Sequence, residues 1–188
     1  MKDSTTEHTV YLIVDLDRCW GCRACEIACK QELGIGTGPR PVRIEEIGPR
    51  KINGKLLTDF VPVMCQHCRH PACREACPTG AIFRAEDKSI QIDFDLCTRC
   101  GECEPACPFG VMAHTEQYGP VKCTLCISRR ENGWLPSCAQ HCQGRVFTVA
   151  ADDSTAPIAP GKKYSWSTGR VIYISDKWSS LGKGCQNQ

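Results

Sequence analysis

The stretch Val14–Cys29, VDLDRCWGCRACEIAC, sets four cysteines at positions 19, 22, 25 and 29. The stretch Ile92–Cys107, IDFDLCTRCGECEPAC, repeats it without a gap, so that Asp15, Asp17, Glu26 and Ala28 fall on Asp93, Asp95, Glu104 and Ala106. Two more quartets, Cys65, Cys68, Cys73 and Cys77, then Cys123, Cys126, Cys138 and Cys142, share a second pattern. Each is a C-x2-C pair, a spacer, and P-x-C-x3-C, with Pro71 and Pro136 before the third cysteine. Of the 17 cysteines only Cys185 is left over, in a Gly-rich tail where it reads as a free thiol. An internal repeat of this kind implies two related units. Each opens with a short strand, YLIVDLD or SIQIDFD, whose alternating apolar residues end at an acidic turn before the first cysteine. The expected local order is strand, cysteine loop, short helix.

The run C-x2-C-x2-C-x3-C is the bacterial ferredoxin arrangement for a [4Fe-4S] cluster. Two-residue spacing bends the backbone round one cube and points successive thiolates at adjacent corners. A fourth thiolate three residues on faces away and ligates the neighbouring cluster. Clusters therefore come in pairs joined by exchanged ligands, and sixteen cysteines make two such pairs. Gly21, Ala24, Ala28, Ala76, Gly101 and Ala106 let the backbone approach the cube, where amides can donate to sulfur. Pro78 and Pro108 follow two of the fourth cysteines, as that run requires. Structural zinc prefers two separated C-x2-C pairs and would leave one thiolate of each close triple badly placed. No C-x-x-C-H stands in the chain to attach haem.

Composition agrees. Setting the cysteines aside leaves roughly a third of the 188 residues apolar, thin for a core, so the cysteines and what they bind are expected to be the core. The first residues show no secretory signal and no twin-arginine pair, which argues against a disulfide scaffold and for a soluble cytoplasmic protein. Export in complex with a signal-bearing partner is the alternative. No apolar run reaches membrane-spanning length. A formal charge of +2 without a basic run gives nucleic acid nothing to bind.

The fold class expected is α+β: two ferredoxin-like units related by the internal repeat, with a β-hairpin insertion and a C-terminal tail. The outer unit takes residues 1–60 and 116–150, the hairpin insertion 41–64 and the inner unit 61–115. Asn53-Gly54 supplies the hairpin turn. Residues 151–188 read as an extension: an Asp, Ser, Pro and Gly-rich surface loop, a last strand RVIYIS, and a poorly ordered tail from Lys177. Gly34, Gly36 and Gly38 follow a helix rather than a strand and read as a plain loop, not a nucleotide site. His67 and His70 are taken as supporting or surface groups, because every quartet is already complete. Trp20 is expected to shield a cluster from water, and Arg99, Lys122, Arg129 and Arg130 to be solvated. No nucleophile–base pair is visible, so no catalytic residue is assigned.

With C-K-Q-E after the first quartet, C-x2-C-x4-C-x3-C-P as the second and V-K-C-T-L-C opening the fourth, residues 10–150 resemble the iron-sulfur subunits of the dimethyl sulfoxide reductase family. The chain departs from that family at Cys142-Gln143-Gly144, where a proline commonly follows the cysteine. The resemblance implies four [4Fe-4S] clusters and pairs the first quartet with the fourth and the second with the third. It assigns one cluster to Cys19, Cys22, Cys25 and Cys142, and its neighbour to Cys123, Cys126, Cys138 and Cys29. The inner pair is assigned to Cys65, Cys68, Cys73 and Cys107 and to Cys97, Cys100, Cys103 and Cys77. Spacing by itself leaves open the rival pairing, first with second and third with fourth. The resemblance further implies a non-catalytic subunit carrying single electrons to or from a large molybdenum or tungsten bis-pterin subunit, with a further electron donor or acceptor protein. The competing reading is a polyferredoxin serving a hydrogenase, formate dehydrogenase or carbon monoxide dehydrogenase.

Overall fold

The computed structural model describes residues 10–52, 54–150 and 161–178. It is a mixed α+β fold rich in short strands. Four strands form the central sheet: β1 (Tyr11–Asp15), β8 (Phe147–Ala150), β9 (Tyr164–Ser167) and β10 (Val171–Ser175), in the order β8-β1-β10-β9. β1 runs parallel to β10, with Leu12 opposite Val171, and antiparallel to β8, with Leu12 opposite Val149.

β10 is the last strand expected in residues 151–188, RVIYIS. β10 fills an inner place in the sheet, and Val171, Tyr173, Ile174 and Ser175 are buried. An apolar run such as VIYI suits a strand covered on both faces. The loop before it is also tied in. Arg170 N–H donates to Gln66 O at 2.8 Å and Arg69 N–H to Thr168 O at 3.3 Å. Between them Gly169 lies so close to the carbonyls of Gln66 and His67 that a Cβ has no room. Tyr173 Oη donates to Pro62 O and accepts from Gln66 Nε2, both at 3.1 Å. The C-terminal strand thus anchors the Cys65–Cys68 loop. Cys185 and the rest of the tail from residue 179 lie outside the described residues.

β2 (Val42–Ile52) and β3 (Lys55–Met64) form a long antiparallel ribbon, with a register shift between Ile47 and Arg50 at the cis Gly48-Pro49 peptide. Asn53 lies outside the described residues; Gly54 has φ +79°. Val42, Ile44, Val61, Val63 and Met64 bury the base of the ribbon in the main core, while Leu56 and Leu57 project into solvent. Two two-stranded sheets complete the strands: β4 (Ile82–Arg84) with β5 (Ile90–Ile92), and β6 (Ala113–Thr115) with β7 (Gly119–Val121).

The helices are α1 (Ala24–Glu32), α2 (Ala72–Glu75), α3 (Ile127–Glu131) and α4 (Ser137–Gln140). The expected order of strand, loop and helix holds after the first quartet and stops at the third, where only turns form, with Glu104 N–H on Gly101 O and Cys107 N–H on Glu104 O. Pro105 and Pro108 stand where the first repeat has Ile27 and Lys30. Neither proline can donate to a helical ladder, and each pushes the residue before it towards extended backbone. The acidic turns do repeat: Asp15 accepts from Asp17 N–H at 3.1 Å, and Asp93 from Asp95 N–H at 2.9 Å. In the first repeat this turn is locked further, because Lys162 bridges Asp15, Asp17 and Asp176 at 3.1, 2.7 and 3.2 Å.

Two apolar clusters make the core. The larger joins the central sheet to the ribbon base and includes Cys25, Cys29, Cys65, Cys123, Cys138 and Cys142. The smaller is Ile82, Ile90, Met112 and Cys103.

Candidate metal centres

Sixteen cysteines lie within the described residues and none is in a disulfide. Three cavities gather twelve of them. Cys65, Cys68, Cys73 and Cys107 line one. Cys77, Cys97, Cys100 and Cys103 line another. Cys19, Cys22, Cys25 and Cys142 line a third. The remaining four, Cys29, Cys123, Cys126 and Cys138, are all buried, and each of Cys29 and Cys138 feels the charge of Cys123 and Cys126. In every group three cysteines come from one quartet and the fourth from another.

The chemistry of the donors can be tested against an iron-sulfur cluster. Among the described residues no three His, Cys, Asp or Glu side chains converge on a single-ion site. Four thiols that line one cavity without converging on a single ion suit a cubane, and thiolate is the ligand such clusters take. Burial, with neighbouring cysteines adding to it, pushes the Cys25 and Cys73 thiols up to about 12 and those of Cys68 and Cys103 up to about 11. Cys138 is held well above the ordinary thiol range by the same causes. Such thiols stay protonated at neutral pH unless a metal takes the proton's place. Cys77 goes the other way: burial opposes ionisation, but the N–H groups of Ile82, Thr79 and Ala81 and the Thr79 hydroxyl outweigh it. The residues present fit [4Fe-4S] clusters.

Backbone geometry repeats across all four quartets. The residue just before the second cysteine has positive φ each time: Gly21 at 78°, His67 at 48°, Arg99 at 58° and Leu125 at 53°. This conformation turns neighbouring N–H groups to one side and makes a concavity for anions. In three quartets that same residue's N–H bonds the first cysteine, Gly21 to Cys19, His67 to Cys65 and Leu125 to Cys123. Only one of the four is glycine, which hides the feature from sequence reading. At Gly21 glycine is required twice over, since a Cβ would also strike the Phe60 ring.

The groups flanking the quartets divide. His67 is 1% exposed and accepts from Ile90 N–H at Nδ1, 2.9 Å away, so its proton sits on Nε2. Burial first, then the surrounding cations Lys122 and Arg130, hold it well below the usual imidazole range and keep it neutral. His70 is exposed. Trp20 lines the cavity of Cys19 yet remains 56% exposed, so it covers that cavity only in part. Of the four cations expected in solvent, Arg99 is exposed and the others are not. Arg129 pairs with Glu32 at 2.9 Å and donates to Leu135 O at 2.8 Å. Arg130 pairs with Asp87 and donates to Leu125 O at 2.7 Å, fastening the Cys123–Cys126 loop. Lys122 is buried, donating to the carbonyls of Ile90 and Cys123.

Comparison with known proteins agrees with this chemistry. The 4Fe-4S dicluster domain matches residues 56–152, and a 4Fe-4S binding domain matches residues 16–32. The probable anaerobic dimethyl sulfoxide reductase chain YnfG of Escherichia coli strain K12 is 34% identical over 151 residues, covering 76% of this chain and 73% of that one. One chain of the anaerobic dimethyl sulfoxide reductase of Haemophilus influenzae is 32% identical over 183 residues and 89% of each sequence. One subunit of the tetrathionate reductase of Salmonella typhimurium is 31% identical over 144 residues, 76% of this chain and 58% of that one. With its cysteine groups, its dicluster domain and these relatives together, the chain belongs to the iron-sulfur subunits of the dimethyl sulfoxide reductase family, with [4Fe-4S] clusters as its cofactors.

Proposed function

We propose that this chain is a non-catalytic electron-transfer subunit with four [4Fe-4S] clusters, passing single electrons to or from a large molybdenum or tungsten bis-pterin catalytic subunit. One cluster would be held by Cys19, Cys22, Cys25 and Cys142, the next by Cys29, Cys123, Cys126 and Cys138. Cys65, Cys68, Cys73 and Cys107 would hold the third, and Cys77, Cys97, Cys100 and Cys103 the fourth. When bound, such clusters supply one-electron carriers.

The observation that carries the reading is the order of the four groups. Cys25 feels Cys19 and Cys142, Cys138 feels Cys25, and Cys123 feels Cys65, which supports placing three groups in succession. The fourth joins through the motifs Cys73–Cys77 and Cys103–Cys107, each of which gives cysteines to both inner cavities. Only the end groups contain an exposed cysteine, Cys22 at one end and Cys100 at the other. A row closed in the middle and open at both ends suits a conductor between two partners. The chain's own part is to hold the thiolates, aim amides at them and keep water from the middle of the row. The names of the relatives, all chains or subunits of reductases, support a catalytic partner.

Native anaerobic purification with metal analysis tests this. The expected result is about sixteen irons and sixteen sulfides per chain, the content of four cubanes, together with a large subunit containing molybdenum or tungsten. Stoichiometric zinc without acid-labile sulfide would sink the cluster reading. A metal-complete monomer without a large partner would favour a free polyferredoxin. The ligand sets have their own test: Cys142→Ser should perturb the same spectroscopic cluster as Cys19→Ser, and Cys29→Ser the same one as Cys123→Ser. A match between Cys142→Ser and Cys97→Ser would refute the nested pairing.

A further inference from the structure

Lys122 is 3% exposed, immediately precedes Cys123, and shares the wall of the cavity lined by Cys65, Cys68, Cys73 and Cys107. Its Nζ donates to two backbone carbonyls, those of Ile90 and, at 3.0 Å, Cys123. None of the ion pairs among the described residues includes it. Taking an ammonium out of water costs several kcal/mol unless an opposite charge stands nearby. Two carbonyl dipoles supply part of that compensation and no net charge. The nearby cation Arg130, by contrast, is balanced by Asp87, and His67 is neutral.

The missing negative charge has a source on both sides. Lys122 walls the cavity of Cys65, Cys68, Cys73 and Cys107 on one side, and on the other its Nζ bonds the carbonyl of Cys123, a member of the next group. Cys65 and Cys123 also share one buried cluster, and Ile90, whose carbonyl Lys122 holds, lines the same cavity, so the two middle groups meet at Lys122. Adding an electron on either side increases the negative charge facing the ammonium. A fixed positive charge in a dry surrounding favours that reduced state, and its effect falls with distance.

We infer that Lys122 is the shared counter-ion of the two middle cysteine groups, a tuning residue that raises both of their reduction potentials together and leaves the two end groups nearly untouched. The inference rests on the four-cluster reading above. Its consequence is that removing the charge changes the steps between the middle and end groups and leaves the step between the two middle groups nearly as it was. One charge serving both sides moves both levels in the same direction.

The test compares the full chain, purified anaerobically with whatever partner accompanies it, as wild type, Lys122→Met, Lys122→Gln and Lys122→Arg. Glutamine keeps an amide donor for the carbonyls without the charge, and arginine keeps the charge. Midpoint potentials of all clusters are read by redox titration followed by electron paramagnetic resonance, with Cys73→Ser and Cys123→Ser identifying the middle pair. In both neutral variants the two middle clusters should show at least a tenfold smaller equilibrium constant for reduction, about 59 mV for one electron. The end clusters should stay within threefold, and Lys122→Arg should stay within threefold throughout. Unchanged potentials in a fully loaded neutral variant would overturn the inference, as would an equal shift of all clusters. Loss of clusters from both neutral variants with retention in Lys122→Arg would mark a structural staple and also overturn it. Fewer than sixteen irons in the wild type would defeat the four-cluster reading itself, an outcome that iron analysis registers separately.

Discussion

Val14–Cys29 and Ile92–Cys107 have the same cysteine spacing and the same acidic turn, and the fold treats them differently. In the first, Cys25, Glu26, Ala28 and Cys29 are all buried. Glu26 lies under the β2–β3 ribbon, accepting from Ile44 N–H at 2.6 Å and from Arg40 at 3.3 Å. In the second, Glu104 is exposed, Ala106 and Cys107 are only half-buried, and the neighbouring strands β4 and β5 have three residues each. The ligand pattern therefore makes a cysteine nest and no more. Whether that nest is dry depends on what the rest of the chain lays over it, here a ribbon and a four-stranded sheet on one side and a short hairpin on the other.

That contrast can be broken or sharpened by experiment. The largest effect should follow removal of iron: with thiols replacing much of the core, complete chelation should abolish cooperative melting by circular dichroism. Under partial chelation, hydrogen exchange should release the amides of β4 and β5 before those of β1 and β10. Protection lost in both regions at once would erase the distinction. Next in size is selective damage. Mild oxidation should destroy the cluster assigned to Cys77, Cys97, Cys100 and Cys103 well before the one assigned to Cys29, Cys123, Cys126 and Cys138, because solvent reaches only the former. Electron paramagnetic resonance during oxidation gives the order, and the reverse order contradicts the burial argument.

Two substitutions follow. Arg130→Ala strands Asp87 in a half-buried site and frees the Leu125 carbonyl, which should cost about 3 kcal/mol in thermal stability of the loaded protein. A loss under about 1 kcal/mol would show that the pair is solvated after all. Glu26→Ala leaves the Ile44 N–H unpaired and buried, for about 2 kcal/mol, while the equivalent Glu104→Ala should stay within about 0.5 kcal/mol. Equal effects at the two aligned positions would mean that the ribbon does not distinguish the repeats.

The spacing of the cysteines was legible in the sequence, because it is local. Which quartet lends its fourth cysteine to which came from family resemblance, since C-x3-C shows that Cys29 and Cys142 point away from their own groups and not where they point. The missing third helix was written in Pro105 and Pro108, which interrupt an otherwise matching repeat. The place of β10 was not legible. RVIYIS reads as a strand, but the polar stretch before it gives no sign that the strand returns to the centre of the sheet. Lys122 reads as solvated for a plain reason: lysine is almost never buried without a partner, and its compensating charges lie on cysteines that composition counts as neutral.

The parallel pairing of β1 with β10 bears on biosynthesis. Leu12 finds its neighbour Val171 only after about 160 further residues have been made, a wait of about 8 to 30 s at roughly 5–20 residues per second. Cys19, Cys22 and Cys25 likewise wait for Cys142. For that interval the nascent chain exposes an unpaired apolar strand and three thiols that could be captured by oxidants or stray metals. Completion of the Cys19 group therefore waits on synthesis of Cys142, and the growing chain is a natural client for a chaperone that shields Tyr11–Asp15 until its partner strand arrives.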